Sequence, residues 1–240
     1  AWSDAKSTPG VDFFQFWSVA QSVGDSSMAD VYSREGMDQL SLEVEASVGD
    51  ERLPERQRTA GELNLQFENG HIGVVGTPFL FSVLAFWEHG NYDRDLAWFT
   101  FCCVAFYAIS IVILSRVFGF HAITAAFFII LFCVGFGAYA SDLRVANINQ
   151  FQLLAVAAFL WMQKRSGTSN DVLSGLLLGM SIAFKPTIAL LPILLAIVWL
   201  ANGRFEKAGR VFVGLLGGVA AAILMSSVYF RSASVWIDWL

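Results

Sequence analysis

The chain has 240 residues, 56% of them hydrophobic and 15% charged, with a formal net charge of −5. Residues 1–95 hold sixteen acidic and six basic side chains, whereas residues 96–240 hold four and nine and are otherwise almost continuously apolar. That division excludes a single soluble domain and argues against nucleic acid as a partner, and three cysteines (Cys102, Cys103, Cys133) with neither framework nor ligand spacing exclude a disulfide scaffold.

The N-terminus, AWSDAKSTPG, has neither the basic region nor the apolar core of a signal peptide. It does not start with Met and the chain ends on Trp239-Leu240, so the sequence reads as a fragment missing spans at both ends and inactive alone. Residues 11–23 predict an amphipathic helix, with Phe13, Phe16, Trp17, Ala20 and Val23 at helical spacing and Asp12 at its start. Asp12 has two readings: an acidic first-turn residue favoured by the helix dipole, or a carboxylate at the membrane surface serving as general base for a hydroxyl. Asp25 and Asp30 flank a Gly24/Ser26-Ser27 turn and read as turn and cap residues. A metal held by Asp12 with one of them has no support from ligand spacing, and His71, His89 and His121 are too dispersed to form a cluster. Residues 33–70 are polar and weakly periodic, an extended extracytoplasmic loop with helical pieces. Thr77-Pro78 then opens an apolar run to Trp87, either a short span or a helix lying at the interface. We divide the chain into an acidic extracytoplasmic segment, 1–76, and a transmembrane helical domain, 77–240.

Within that domain, the runs Leu96–Leu114, Phe120–Ala140 and Val211–Phe230 are each long enough to cross a hydrocarbon core that takes about 20 helical residues. Phe151–Met162, Val172–Phe184 and Thr187–Leu200 are shorter. Lys185, followed at once by Pro186, stands between the last two and is the sole charge between Asp171 and Arg204. A charge at membrane depth costs at least ~2.5–3.5 kcal/mol, so by default it marks something to be held. The proline breaks the helix, which lipid tolerates only against protein or a water-filled cavity. The basic loops 163–171 and 201–210 belong in the cytoplasm by the positive-inside rule, which sends Lys185-Pro186 and the polar run 142–150 to the outer side. Arg144, beside Asp142 at a helix end, reads equally as a local ion pair, a snorkelling cation or a phosphate ligand. The small residues of Leu176–Gly179 and of Gly214–Gly218, the latter with Gly-x-x-x-Gly spacing, suit close helix packing. The fold class is therefore all-α: a polytopic membrane helical bundle with short amphipathic helices in its N-terminal loop.

Taken together these pieces resemble a family. Asp12-Phe-Phe-Gln-Phe-Trp17, followed by Ala20 and Tyr32, is similar to the first outer loop of C-type (GT-C) membrane glycosyltransferases, and in particular of glycosyltransferase family 87, the polyprenol-phosphate-mannose-dependent type. Thr77-Pro78-Phe79 resembles the motif that opens the family's second span, and Asn147-Ile148-Asn149-Gln150 resembles its Gly-(Asn/Gln)-x-Asn motif with Ala146 in the Gly position. Gly175 through Pro192 resembles its Lys-Pro hairpin.

The resemblance implies a hexosyltransferase of the cell membrane that takes its sugar from a polyprenyl phosphate and works at the extracytoplasmic face. It implies Asp12 as the base and Lys185, then Arg144, as the cations on the donor phosphate. Asn147, Asn149 and Gln150 would bind sugar hydroxyls or phosphate oxygens, and Thr77 the substrate. Trp17 would line the acceptor entrance or seat its helix on lipid. No cofactor is expected, and the partners are the lipid-linked sugar, membrane lipid and an acceptor the sequence does not name. The competing reading is a transporter or lipid flippase with Lys185 at a broken-helix gate.

Overall fold

The computed structural model describes residues 9–24, 31–67, 72, 74, 76–135, 137–165 and 167–240. The turn and cap residues expected at Asp25 and Asp30, and His71, lie outside them. Every regular element among the described residues is helical. The chain divides into two compact units, one of Ala1–Cys103, Cys133–Ile148 and Ser226–Leu240, the other of Val104–Phe132 and Asn149–Met225.

The first unit is built around α1 (Val11–Gly24). The chain enters it through Gly10, whose φ of +67° suits glycine, and the Tyr92 hydroxyl donates to the carbonyls of Pro9 and Gly10. Against α1 pack α2 (Arg34–Val48), α3 (Glu55–Phe67) and α4 (Pro78–Leu84), the last continued by a 3-10 turn, Ala85–Trp87. Serine and threonine caps start two of these helices: Ser33 accepts from the Gly36 N–H at 3.0 Å and Thr77 from the Leu80 N–H at 3.1 Å. Asn64 ties α3 to α1 by donating to the Val11 carbonyl at 3.0 Å.

These neighbours change the character of α1. The sequence predicts one apolar face at Phe13, Phe16, Trp17, Ala20 and Val23, yet Phe14, Ser18, Val19 and Ser22 are buried as well. With α2, α3 and α4 each covering part of its surface, α1 is the unit's core rather than a helix laid on lipid. Aromatic rings lock it in place: Phe13 lies 4.8 Å from Phe99, Trp17 meets Tyr92 edge-on at 5.3 Å and Phe16 meets Phe81 at 5.9 Å.

The run from Pro78 to Trp87 is a short helix, about 15 Å long, and does not reach across a ~30 Å core. Two helices among the described residues do: α5 (Tyr92–Phe118, 27 residues) and α11 (Phe205–Tyr229, 25 residues). The predicted span Phe120–Ala140 contains two described helical stretches on either side of residue 136, which lies outside the described residues. These are α6 (Ala122–Gly135) and α7 (Gly137–Val145), and α8 (Asn149–Lys164) follows in the chain. Ile109 and Val112 on α5, Ile123 and Ile130 on α6, and Leu224 and Val228 on α11 are exposed. Apolar surface of that extent on long helices belongs in lipid, so this is a membrane protein.

In the second unit, α8, α9 (Thr168–Phe184), α10 (Leu190–Ala201) and α11 surround a core of Phe159, Leu178, Trp199 and Val211. Helices α9 and α11 touch through four glycines: Gly179, Gly214 and Gly218, which belong to the small residues expected to pack closely, and Gly175, which lies just before them. A Cβ on Gly175 or Gly179 would collide with the Val211 or Leu215 carbonyl, and one on Gly214 or Gly218 with that of Val172 or Leu176. Four missing side chains thus allow backbone-to-backbone packing.

One end of this unit is cationic. Lys164 donates to the carbonyls of Arg116 and Val117 at the C-terminus of α5, favourable for a cation at a helix end. Buried Asp171 pairs with Arg210 at 3.0 Å and Lys207 at 3.9 Å. Arg165 lies over the Trp161 ring. Asn149 and Lys185 sit at the far ends of α8 and α9, about 24 Å away along a 16-residue helix.

Candidate active site

Two polar clusters contain most of the residues singled out by sequence, one in each unit. The first is made by Asp12 in the opening turn of α1 and Asn147 just past α7. The Asn147 amide, Nδ2, donates to Asp12 Oδ2 at 2.6 Å. Asn147 reaches that place through the way α7 ends. The N–H of Ala146 donates to the Leu143 carbonyl at 3.3 Å and the N–H of Asn147 to the Asp142 carbonyl at 2.9 Å. This paired closure is the Schellman arrangement, and it requires a left-handed residue after the helix. Ala146 supplies it at φ +56°, the position where the related motif has glycine. The Asn147 carbonyl is also within 3.8 Å of the Cys103 thiol, which donates to it.

An alanine held at positive φ costs about 1–2 kcal/mol, because its Cβ crowds the following carbonyl oxygen. Ala146→Gly is therefore expected to stabilise the protein by about 0.5–1 kcal/mol, since the glycine's extra freedom in the unfolded chain takes back about 0.4–1. A rise in the thermal unfolding midpoint in detergent checks this, and a fall would contradict the left-handed turn.

The second cluster lies at the helix break. α9 ends at Phe184, Lys185 is extended (φ −149°, ψ 108°), and a 3-10 turn, Pro186–Ala189, leads into α10. Proline removes the N–H that would have continued the helix, so the chain opens where the sequence placed the opening. The half-buried Lys185 ammonium donates to Asn149 Oδ1 at 3.0 Å. No carboxylate pairs with it among the described residues; its partner is a neutral amide. Gln150, the next residue of α8, is 3% exposed, and its Oε1 is without a hydrogen-bond partner among the described residues. A cation beside the buried Gln150 Oε1, which can accept from a hydroxyl, is a site fitted to an oxyanion that carries hydroxyls.

Other residues picked out by sequence are placed differently. Trp17, expected at an entrance or on lipid, is 3% exposed, and its indole donates to Asp95 Oδ2 at 3.1 Å. Thr77, expected to touch substrate, is buried with its hydroxyl in the α4 cap. Arg144 is exposed in the last turn of α7, within the unit that holds Asp12, whereas Lys185 belongs to the other. Tyr32 donates to the Gly76 carbonyl at 3.0 Å, and burial pushes its hydroxyl pKa far up, which keeps it a donor.

Sequence reasoning missed Asp95. This carboxylate is 1% exposed and accepts from the Trp17 indole, from the His89 N–H at 2.8 Å and from the Asn91 N–H at 3.4 Å, joining α1 to the turn before α5. Its one signal was local: an acid one residue before a long apolar run, where a helix N-terminus favours it. The partner Trp17 lies 78 residues away.

Comparison with known proteins gives one finding: the family model described as Glycosyltransferase family 87 matches residues 75–240. The match takes in Thr77, Arg144, Asn147, Asn149, Gln150 and Lys185, and Asp12 and Trp17 precede it. The chain matches no curated protein and no solved structure.

Proposed function

The chain belongs to glycosyltransferase family 87, and on that premise we propose that it moves a hexose, mannose being the family's usual sugar, from a polyprenyl phosphate to an acceptor hydroxyl at the extracytoplasmic face of the cell membrane. A membrane glycosyltransferase it is by family, which decides against the transporter or flippase. The single observation that carries the finer reading is Lys185, a cation at a proline break whose partner among the described residues is a neutral amide.

In this reaction the acceptor oxygen bonds to the anomeric carbon of the sugar while Asp12 takes the hydroxyl proton. The bond from that carbon to the phosphate oxygen breaks, the polyprenyl phosphate leaves with the electron pair, and the configuration inverts. Lys185, with Arg144 as a second cation, offsets the charge that grows on the leaving phosphate. Asn149 and Gln150 supply hydrogen bonds to phosphate oxygens or sugar hydroxyls. The outward assignment is supported by the basic cluster at the opposite end of α8 and α9, since basic ends favour the cytoplasm.

The test uses vesicles bearing the full protein and a panel of radiolabelled polyprenyl-phosphate sugars. One donor is expected to give transfer, and Lys185→Ala to raise its KM about 10–100-fold, the loss of one or two charge-assisted hydrogen bonds. An unchanged donor KM would remove Lys185 from the phosphate site, and transfer from nucleotide sugars alone would remove the lipid donor.

A further inference from the structure

The contact between Asp12 and Asn147 joins residues 135 apart in the sequence, and each comes from an element fixed by other contacts. α1 is the buried core of its unit, with Phe13 against Phe99 and Trp17 tied to Asp95. Asn147 is held on both backbone sides, by its N–H on the Asp142 carbonyl and by its own carbonyl on the Cys103 thiol. Its side chain is thus delivered by a left-handed turn whose hydrogen bonds owe nothing to the asparagine side chain. The amide orientation follows from chemistry, because the opposite flip would set a carbonyl oxygen against a carboxylate oxygen.

That placement serves Asp12 and not Asn147 itself: the other amide atom, Oδ1, is buried without a hydrogen-bond partner among the described residues. A buried polar atom left unsatisfied costs about 1–3 kcal/mol, so a side chain that keeps one is held for some other purpose. The bond it makes is the one at 2.6 Å to Asp12, which holds one carboxylate oxygen of that group in place. A general base must meet the proton it takes within hydrogen-bond reach, and a bond to one carboxylate oxygen helps to aim the other.

We propose that Asn147 is a positioning residue that aims the Asp12 carboxylate at the acceptor hydroxyl, and is not a ligand of the donor. This rests on the reading of Asp12 as the base. The role is separate from that of Asn149, two residues on, whose Oδ1 accepts from Lys185.

The experiment is a double-mutant cycle in vesicles bearing the full protein, with radiolabelled polyprenyl-phosphate mannose and endogenous acceptors. Wild type, Asn147→Ala, Asp12→Asn and the double variant are compared, with Asn147→Ser as a variant that keeps a hydrogen-bond donor. Asn147→Ala is expected to lower kcat about 10–100-fold at unchanged donor KM. It should cost nothing further in the Asp12→Asn background, and Asn147→Ser should recover part of the loss. A raised donor KM with kcat kept, or an equal loss in both backgrounds, would overturn the proposal and make Asn147 a substrate ligand. Transfer at the wild-type rate in Asp12→Asn is a different failure, because it removes the base itself whatever Asn147 does. Equal amounts of folded protein across the set, read by gel filtration in detergent, separate these outcomes from misfolding, and a selective loss of folded Asn147→Ser would also count against a purely positioning role.

Discussion

Asp12→Asn is expected to lower sugar transfer by about 10²–10⁴-fold, the range that a general base contributes, with donor binding retained. The substitution isolates chemistry because it spares structure. Asparagine has the shape of aspartate, and its Oδ1 can still accept the Asn147 amide hydrogen where Oδ2 now does at 2.6 Å. The neighbouring core is independent of the charge: Phe13 and Phe14 are packed against Phe99 and Tyr92 whatever residue 12 carries. What disappears is the ability to accept a proton from the attacking hydroxyl. Single-turnover transfer in vesicles, with donor binding measured alongside, checks this. Undiminished transfer would show that the acceptor hydroxyl loses its proton elsewhere, and a loss of donor binding would place Asp12 on the phosphate side of the reaction.

Two adjacent glycines of α11 are expected to respond in opposite directions. Gly218→Ala should largely abolish folded protein, because the added Cβ meets the Leu176 carbonyl, carbon and the Met180 nitrogen, all backbone atoms of α9. Overpacking a core ordinarily costs about 1–3 kcal/mol because side chains yield. Here a rigid helix must move instead, so the cost belongs at or above the top of that range. Gly217, one residue earlier, has nothing within 4 Å of its Cβ position and is exposed. Gly217→Ala should therefore be neutral or gain about 0.5–1 kcal/mol, the usual preference of a helix interior for alanine. Gly179→Ala, which meets the Leu215 carbonyl from the other side, should behave like Gly218→Ala. Fluorescence-detected gel filtration of the three variants in one detergent reads the contrast directly. Equal yields from Gly217→Ala and Gly218→Ala would mean that α9 and α11 do not pack backbone to backbone.

The helix break was legible because its causes are local. A proline without an N–H, preceded by the one charge in a long apolar stretch, opens a helix whatever surrounds it, and the structure ends α9 at Phe184. The all-α membrane character was legible for the same reason, since run length and hydropathy act residue by residue. The glycine contact was half legible: the small residues of 176–179 and 214–218 were marked, whereas Gly175 and all the partners had to be seen.

Where the sequence misled, long-range packing overrode a local pattern. A helix reading as amphipathic over residues 11–23 became the centre of a unit, because helices 10 to 60 residues further on cover its second face. Trp17 looked like an interfacial anchor until its partner proved to be Asp95.

By itself, the sequence determined the fold class, the break at Lys185-Pro186 and the family, all properties written in composition and neighbouring residues. Only the tertiary structure decided which of its polar groups meet. That Asn147 faces Asp12, that Asn149 holds Lys185 and that Ala146 turns left-handed to deliver the first of these depend on contacts across tens of residues. A side chain's residue type says what bond it can make, and only the packed chain brings the partner within 3 Å.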